Sequence, residues 1–262
     1  MNSKQIGAIA AVAIIAVAAI AGVLILNNNQ NEDEFKVAYL EKGYYTFHVA
    51  FDKGFYDDLG FKVKPVIVGG SGQDAINAVL AGDATVAATG DAPYVNTLAS
   101  NGPDKFVGLC MYDETTKASA GHKWVTTSKC PVKLTPIEGK SATDAENDAA
   151  AEAIKAYDGT LTVGLVSGST TLTTFMKWCM HYGIGYSEES GTKEKIQIKK
   201  VPTGGEAITA LGKGAIDMLG GSNPRPTNAV DKVSGAFIWG DCKVLGEPTA
   251  LVLCTIKAKY DA

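Results

Sequence analysis

The strongest constraint on this sequence is an alternation of strand-like and helix-like segments punctuated by glycine. Phe35 to Leu40 (FKVAYL) reads as a short strand, and Thr46 to Leu59 as a helix stopped by Gly60. Lys62 to Val68 alternates charged and apolar residues and then turns apolar, as a strand does. Gln73 to Ala81 reads as a helix stopped by Gly82. Thr85 to Thr89 follows as a strand, Pro93 to Ser100 as a helix and Phe106 to Met111 as a strand. This order predicts a largely parallel sheet with helices on both faces.

Tyr112 to Asp158 breaks the pattern. It holds polar loops, a strand candidate at Lys123 to Thr127 and an Ala-rich helix from Ala145 to Tyr157, and it reads as a passage between lobes plus an insertion. The alternation then resumes. Leu161 to Leu165, Ile196 to Val201, Ala215 to Leu219 and Thr249 to Ile256 read as strands, and Thr170 to Tyr182 and Glu206 to Leu211 as helices. An internal echo supports two lobes of similar build. DAINAVLAGDATVAATGD (Asp74 to Asp91) aligns without gaps to EAITALGKGAIDMLGGSN (Glu206 to Asn223), matching Ala75, Ile76, Ala78 and Gly82 to Ala207, Ile208, Ala210 and Gly214.

The amino terminus belongs to no globular core. Lys4 precedes an uncharged apolar run from Ile6 to Leu26, and an element of about 20 residues spans the roughly 30 Å hydrocarbon layer of a bilayer. The run shows no polar face, unlike a soluble helix. The acidic NNNQNEDE (Asn27 to Glu34) follows, so the positive-inside rule places the rest of the chain outside the cytoplasm. The run is either an uncleaved membrane anchor or a cleaved signal peptide.

Net charge is −4, so a nucleic-acid partner gains no electrostatic help, and no basic stripe or base-stacking aromatic run is present. The five cysteines (Cys110, Cys130, Cys179, Cys242, Cys254) are odd in number and lack C-x-x-C spacing, which leaves a metal site unsupported. Outside the membrane they are read as free thiols or as one or two disulfides. Enzymatic signals are poor. No G-x-S-x-G elbow or P-loop lysine occurs, and Asp91 and Asp217 lack paired-carboxylate spacing.

Ligands of doubly wound sheets bind beyond the carboxyl ends of the strands. Four turns are therefore candidates. They are Glu41 to His48, with Tyr44, Tyr45 and His48; Gly69 to Gln73, with Ser71, Gly72 and Gln73; Thr89 to Pro93, with Thr89, Gly90 and Asp91; and Ser167 to Thr171, with Ser169, Thr170 and Thr171. Three lead into helix amino termini, whose unpaired N–H groups and partial positive charge suit small anions. The competing role for the Ser and Thr residues is helix capping. Asn223 and Arg225 form the corresponding turn later in the chain. Arg225 is the only arginine and is able to clamp an oxyanion bidentately.

These segments carry a family resemblance. Val37 to Pro93, with Lys53-Gly54-Phe55, the Gly-rich turn, Ala81-Gly82-Asp83 and Thr89-Gly90-Asp91-Ala92-Pro93, resembles the first lobe of solute-binding proteins of nitrate, sulfonate and taurine ABC importers. The last turn looks most like the T-G-D-x-P of aliphatic sulfonate-binding proteins. Gly159 to Gly183 and Ile196 to Leu219 resemble units of their second lobe. The resemblance implies a two-lobed α/β fold of the type 2 periplasmic-binding-protein class, a small anion held in an interlobe cleft, a permease and an ATPase as partners, and no cofactor. Asn223-Pro224-Arg225 departs from the family's acidic residue, proline and aromatic. The carboxyl end stops where the family adds helices, so the first lobe is either smaller or incomplete.

The expected organisation is an anchor or signal over 1–27, a linker over 28–34, lobe 1 over 35–123 and 244–262, and lobe 2 over 124–243. A cofactor-biosynthesis enzyme on the same scaffold and a ligand-sensing domain are the alternatives. The first of these works in the cytoplasm, so the apolar amino terminus favours transport.

Overall fold

A computed structural model describes residues 34–41, 44–114, 121–246 and 250–261, and the apolar run from Ile6 to Leu26 lies outside them. Among the described residues no helix is long and apolar enough to cross a membrane. The described residues divide into two compact units, 34–114 with 250–261, and 121–246.

The first unit is built on a five-stranded sheet in the order β2-β1-β3-β11-β4. Its strands are β1 (Glu34–Leu40), β2 (Lys62–Val68), β3 (Val86–Gly90), β4 (Phe106–Glu114) and β11 (Ala250–Ile256). β1 runs parallel to β2 and β3, whereas β11 is antiparallel to both β3 and β4. Two-residue alternation sends side chains to two cores. Phe35, Val37, Tyr39 and Leu253 pack with Phe47 and Ala50 of α1 (Tyr45–Asp52). Ala38, Ala87, Val252 and Cys254 pack with Ala75, Ile76 and Val79 of α2 (Gly72–Ala81), joined by Leu98 of α3 (Asp91–Asn101).

The helix expected over Thr46 to Leu59 is shorter than its pattern. Gly54 adopts φ 66°, and the amides of Gly54 and Phe55 turn back to the carbonyls of Phe51 and Ala50, which closes α1 at Asp52. Only a 3₁₀ turn, Asp57–Leu59, follows.

The second unit has a six-stranded sheet, ordered β10-β5-β9-β6-β8-β7. Its strands are β5 (His122–Thr127), β6 (Leu161–Val166), β7 (Tyr186–Ser187), β8 (Ile196–Val201), β9 (Met218–Ser222) and β10 (Ala236–Asp241). β6 to β9 are mutually parallel, and β5 is antiparallel to both neighbours. One face carries α4 (Asp144–Ala156) and α5 (Thr170–His181) over Trp124, Val163, Phe175, Trp178 and Trp239. The other carries α6 (Gly204–Gly212) and α7 (Arg225–Lys232) over Val125, Val166, Leu211 and Leu219. A short helix, α8 (Lys257–Tyr260), follows β11 in the first unit.

Three expectations are corrected here. The stretch from Tyr112 to Asp158 is more than a passage with an insertion, since it supplies core elements of the second unit. Within it β5 is an inner strand, its Trp124 and Val125 filling the cores on opposite faces. For the same reason His122 and Lys123 belong to the second sheet, and the described residues change unit between 114 and 121 and between 246 and 250 rather than near 123 and 244. The strand expected over Ala215 to Leu219 begins at Met218, because Gly214 (φ 68°) and the Ala215 amide are used to terminate α6.

The internal echo corresponds to a structural repeat. Ser71 and Asp74 form a capping box at α2, and Thr203 and Glu206 form the equivalent box at α6. β3 and β9 then occupy equivalent stretches, followed by α3 and α7. All five cysteines are free thiols; three are buried and two partly so.

Candidate functional site

In the first unit the carboxyl ends of β1, β2 and β3 lie on one edge of the sheet, since the three strands are parallel. The polar side chains there are largely occupied by their own chain. His48 Nε2 donates to the carbonyl of Glu41 at 2.7 Å, and its ring stands edge-on to Tyr39, which ties α1 to the preceding turn. Tyr44 is buried, and burial, with lesser contributions from Cys254 and Asp91, raises its phenol pKa. Tyr45 opens α1. The Ser71 amide donates to the Asp74 carboxylate at 2.7 Å, and Gln73 donates to Asn77 at 3.2 Å.

The turn Thr89 to Pro93 is an internal brace. Thr89 is fully buried and donates its hydroxyl to the carbonyl of Gly72 at 2.9 Å. Gly72 leaves room for this, since a Cβ there would overlap the Thr89 hydroxyl. Gly90 caps α3 with extended backbone. Asp91 accepts from the amides of Ala92 (2.7 Å) and Ala250 (3.3 Å), linking the start of α3 to the start of β11. A cavity of about 510 Å³ lined by Phe51, Tyr56, Phe61 and Val63 lies at the other edge, near the amino end of β2.

The second unit differs. The amino termini of α5, α6 and α7 follow β6, β8 and β9, and these parallel strands lie side by side, so the three helix starts share one edge. Ser169 caps α5: its hydroxyl donates to the Val166 carbonyl at 2.7 Å and accepts from the Leu172 amide at 3.3 Å. Thr170 is half-buried at the first residue of that helix. Thr171 is buried, and its hydroxyl lies 2.9 Å from His122 Nδ1. Asn223 is exposed and accepts from Thr227 at 3.3 Å.

Arg225 sits where the repeat is broken. By the internal alignment, Thr89 corresponds to Gly221 and Gly72 to Gly204. The space that Thr89 fills in the first unit is open in the second, and the Arg225 side chain lies in it. A Cβ at Gly204 would overlap Arg225 Nε, and one at Gly221 would come 2.8 Å from Arg225 Cδ. Among the described residues the guanidinium makes one long contact, Nη1 to the Gly220 carbonyl at 3.5 Å. Among the described residues no carboxylate pairs with it. Burial lowers its pKa, which for arginine leaves it charged. A largely desolvated cation without a counter-charge is costly unless something neutralises it.

His122 was not among the sequence-derived site residues. It is buried, and its pKa falls to about 4 because burial penalises the charged ring and the Arg225 charge adds to the effect. No spacing signal marks it, since its neighbours come from β9, α5 and α7. Among the described residues no group of three or more His, Cys, Asp or Glu is placed to hold a metal ion.

No protein-family profile and no curated protein sequence matches the chain. Solved structures do. The alkanesulfonate-binding protein SsuA from Xanthomonas axonopodis pv. citri, bound to MOPS, superposes with a TM-score of 0.62 at 13% identity, over 86% of this chain and 66% of that one. The chain has the periplasmic-binding-protein fold. The periplasmic aliphatic sulphonate-binding protein SsuA from Escherichia coli gives 0.60 at 17% identity, over 87% and 63%. A zinc-bound ligand-binding component of an ABC-type import system from Staphylococcus aureus gives 0.59 at 11% identity, over 87% and 67%. The chain thus spans just under two thirds of the length of the two sulfonate-binding structures. At such identities the match establishes the periplasmic-binding-protein fold, and the ligand has to be argued from the site.

Proposed function

We propose that this chain is the solute-capturing component of an ABC importer and that its ligand is a small anion, with a sulfonate as first choice and nitrate as second. The observation that carries the reading is Arg225, a mostly buried guanidinium with no carboxylate partner among the described residues. The amino termini of α5, α6 and α7 favour negative charge at the same edge of the sheet. A charge-assisted hydrogen bond contributes about 1.5–3 kcal/mol. A few of them supply a substantial part of the roughly −8 kcal/mol of micromolar binding.

Transport is supported by the shared fold, and sulfonate by the two neighbours whose ligands are of that class. The Thr89 to Pro93 motif supports the fold more than the ligand, because Thr89 and Asp91 bond within their own unit. Within the proposal, Arg225, Thr170, Ser169 and Asn223 are the ligand contacts of the second unit. The location is extracytoplasmic, with Ile6 to Leu26 as anchor or signal.

The test is a thermal-shift screen against alkanesulfonates, taurine, nitrate, sulfate, bicarbonate and a panel of neutral and cationic solutes. Stabilisation by anions that weakens at least about tenfold in Arg225→Ala is expected. Stabilisation confined to neutral or cationic solutes would end the anion reading.

A further inference from the structure

The anion reading leaves one buried polar group at the same edge without a role. His122 opens β5, opposite Ser222 of β9, and the next pair in the register is Lys123 with Gly221, the residue beneath the Arg225 side chain. Its Nδ1 lies 2.9 Å from the Thr171 hydroxyl. A Cβ at Gly220 would come 3.2 Å from the Thr171 methyl, and the Gly220 carbonyl receives Arg225 Nη1. His122, Thr171, Gly220 and Arg225 are therefore one contiguous cluster.

We propose that His122 is a positioning residue of this anion site, acting on the ligand through the Thr171 hydroxyl. The inference rests on Arg225 being the seat of the anion. The hydrogen bond between the two side chains runs in one of two directions. With Nδ1 bare, the Thr171 hydroxyl donates to the ring and its proton is unavailable. With a proton on Nδ1, the ring donates to Thr171 Oγ, and the hydroxyl proton is free to turn to a bound oxyanion. An anion at Arg225 favours the second arrangement in two ways. It accepts the freed hydroxyl proton, and it cancels the guanidinium charge that opposes a proton on the imidazole.

The consequence is linkage between anion and proton. In the free protein the ring stays neutral down to about pH 4. In the complex its pKa is higher, so binding takes up a proton in the window between the two values, and affinity rises as pH falls through that window. The other groups around the ring do not offer the same charge. Asp241 of β10 accepts from the amides of Ala142 and Lys243. The thiol of Cys242 accepts from the His122 amide. Lys123 donates to the carbonyl of Lys140. β9 carries no titratable side chain. Lys177, Cys179 and His181 on α5, and Asp231 and Lys232 on α7, lie in later turns of their helices.

Calorimetric titration of the full chain with ethanesulfonate and with nitrate, at about pH 7.5 and about pH 5.5 in buffers of different ionisation enthalpy, tests the coupling. Wild type is expected to bind about threefold or more tightly at the lower pH with net proton uptake. His122→Asn places a non-titrating amide near Nδ1 and should lose the pH slope and the proton uptake. Thr171→Val should lose about tenfold at both values. Ring ¹⁵N shifts of wild type require no variant, and they should show Nδ1 gaining a proton on anion addition. Binding that depends on Arg225 but is flat with pH and indifferent to Thr171 overturns this proposal alone. Absence of anion binding at any pH overturns the Arg225 reading and this one with it.

Discussion

Replacing Arg225 by methionine should make the unliganded protein more stable and the anion complex weaker. The side chain lies in the slot above Gly204 and Gly221 with one hydrogen bond among the described residues, at 3.5 Å, beyond the usual range for N–H···O. No carboxylate among the described residues offsets its charge. Methionine retains a stem of similar length and removes the charge. Exchanging buried ionic groups for apolar ones of similar volume stabilises by about 1–4 kcal/mol, and the partial exposure of Arg225 places this case at about 1–2 kcal/mol. For a unit of this size that is a rise of about 2–8 °C in melting temperature. Urea unfolding followed by tryptophan fluorescence reports on the second unit, which contains Trp124, Trp178 and Trp239. The midpoint should move up with the slope unchanged. At a ligand concentration about 100 times Kd the wild type gains about 2.7 kcal/mol and becomes the more stable of the two. A variant that loses about 1 kcal/mol without ligand would refute the reasoning, because it would mean that the guanidinium has a structural partner.

Two further outcomes follow from other groups. Asp91→Asn should destabilise the first unit by about 1–3 kcal/mol, since its carboxylate accepts from the amides of Ala92 and Ala250; a change under about 0.5 kcal/mol in chemical denaturation would show the brace to be dispensable. For His122 the folded pKa of about 4 lies below the ordinary 6.5, so the unfolded chain binds more protons between these values. Stability of the unliganded protein should therefore fall as pH drops from about 6.5 to about 4, by roughly 3 kcal/mol from this group, and His122→Asn should flatten that part of the curve. An identical slope in the variant would assign the acid sensitivity elsewhere.

Much of the fold was legible locally. Thr143 with Glu146 and Thr203 with Glu206 mark helix starts by reciprocal hydrogen bonds that need only neighbouring residues. Gly82 and Gly214 mark helix ends because only they adopt the required positive φ without strain. The repeat from Asp74 to Asp91 and from Glu206 to Asn223 was visible because both copies obey the same local rules. The limits were local too. Gly54 closed a helix whose apolar pattern continued to Leu59, and β10 with α7 went unread although AFIWGD is an apolar run following Gly235.

The site was legible only as a set of residue types. Sequence alone determined that Ser169, Thr170 and Thr171 stand at a helix start and that one arginine occupies a turn following a predicted strand. It did not determine what each side chain meets. Thr89 and Asp91 are used up within the first unit, whereas Arg225 finds no counter-charge among the described residues of the second. His122 reaches Thr171 across 49 residues of chain because β5 pairs antiparallel with β9. Caps and turns follow from neighbours a few bonds away. Burial, charge pairing and the pKa of a buried histidine depend on distant residues that only the sheet order brings together.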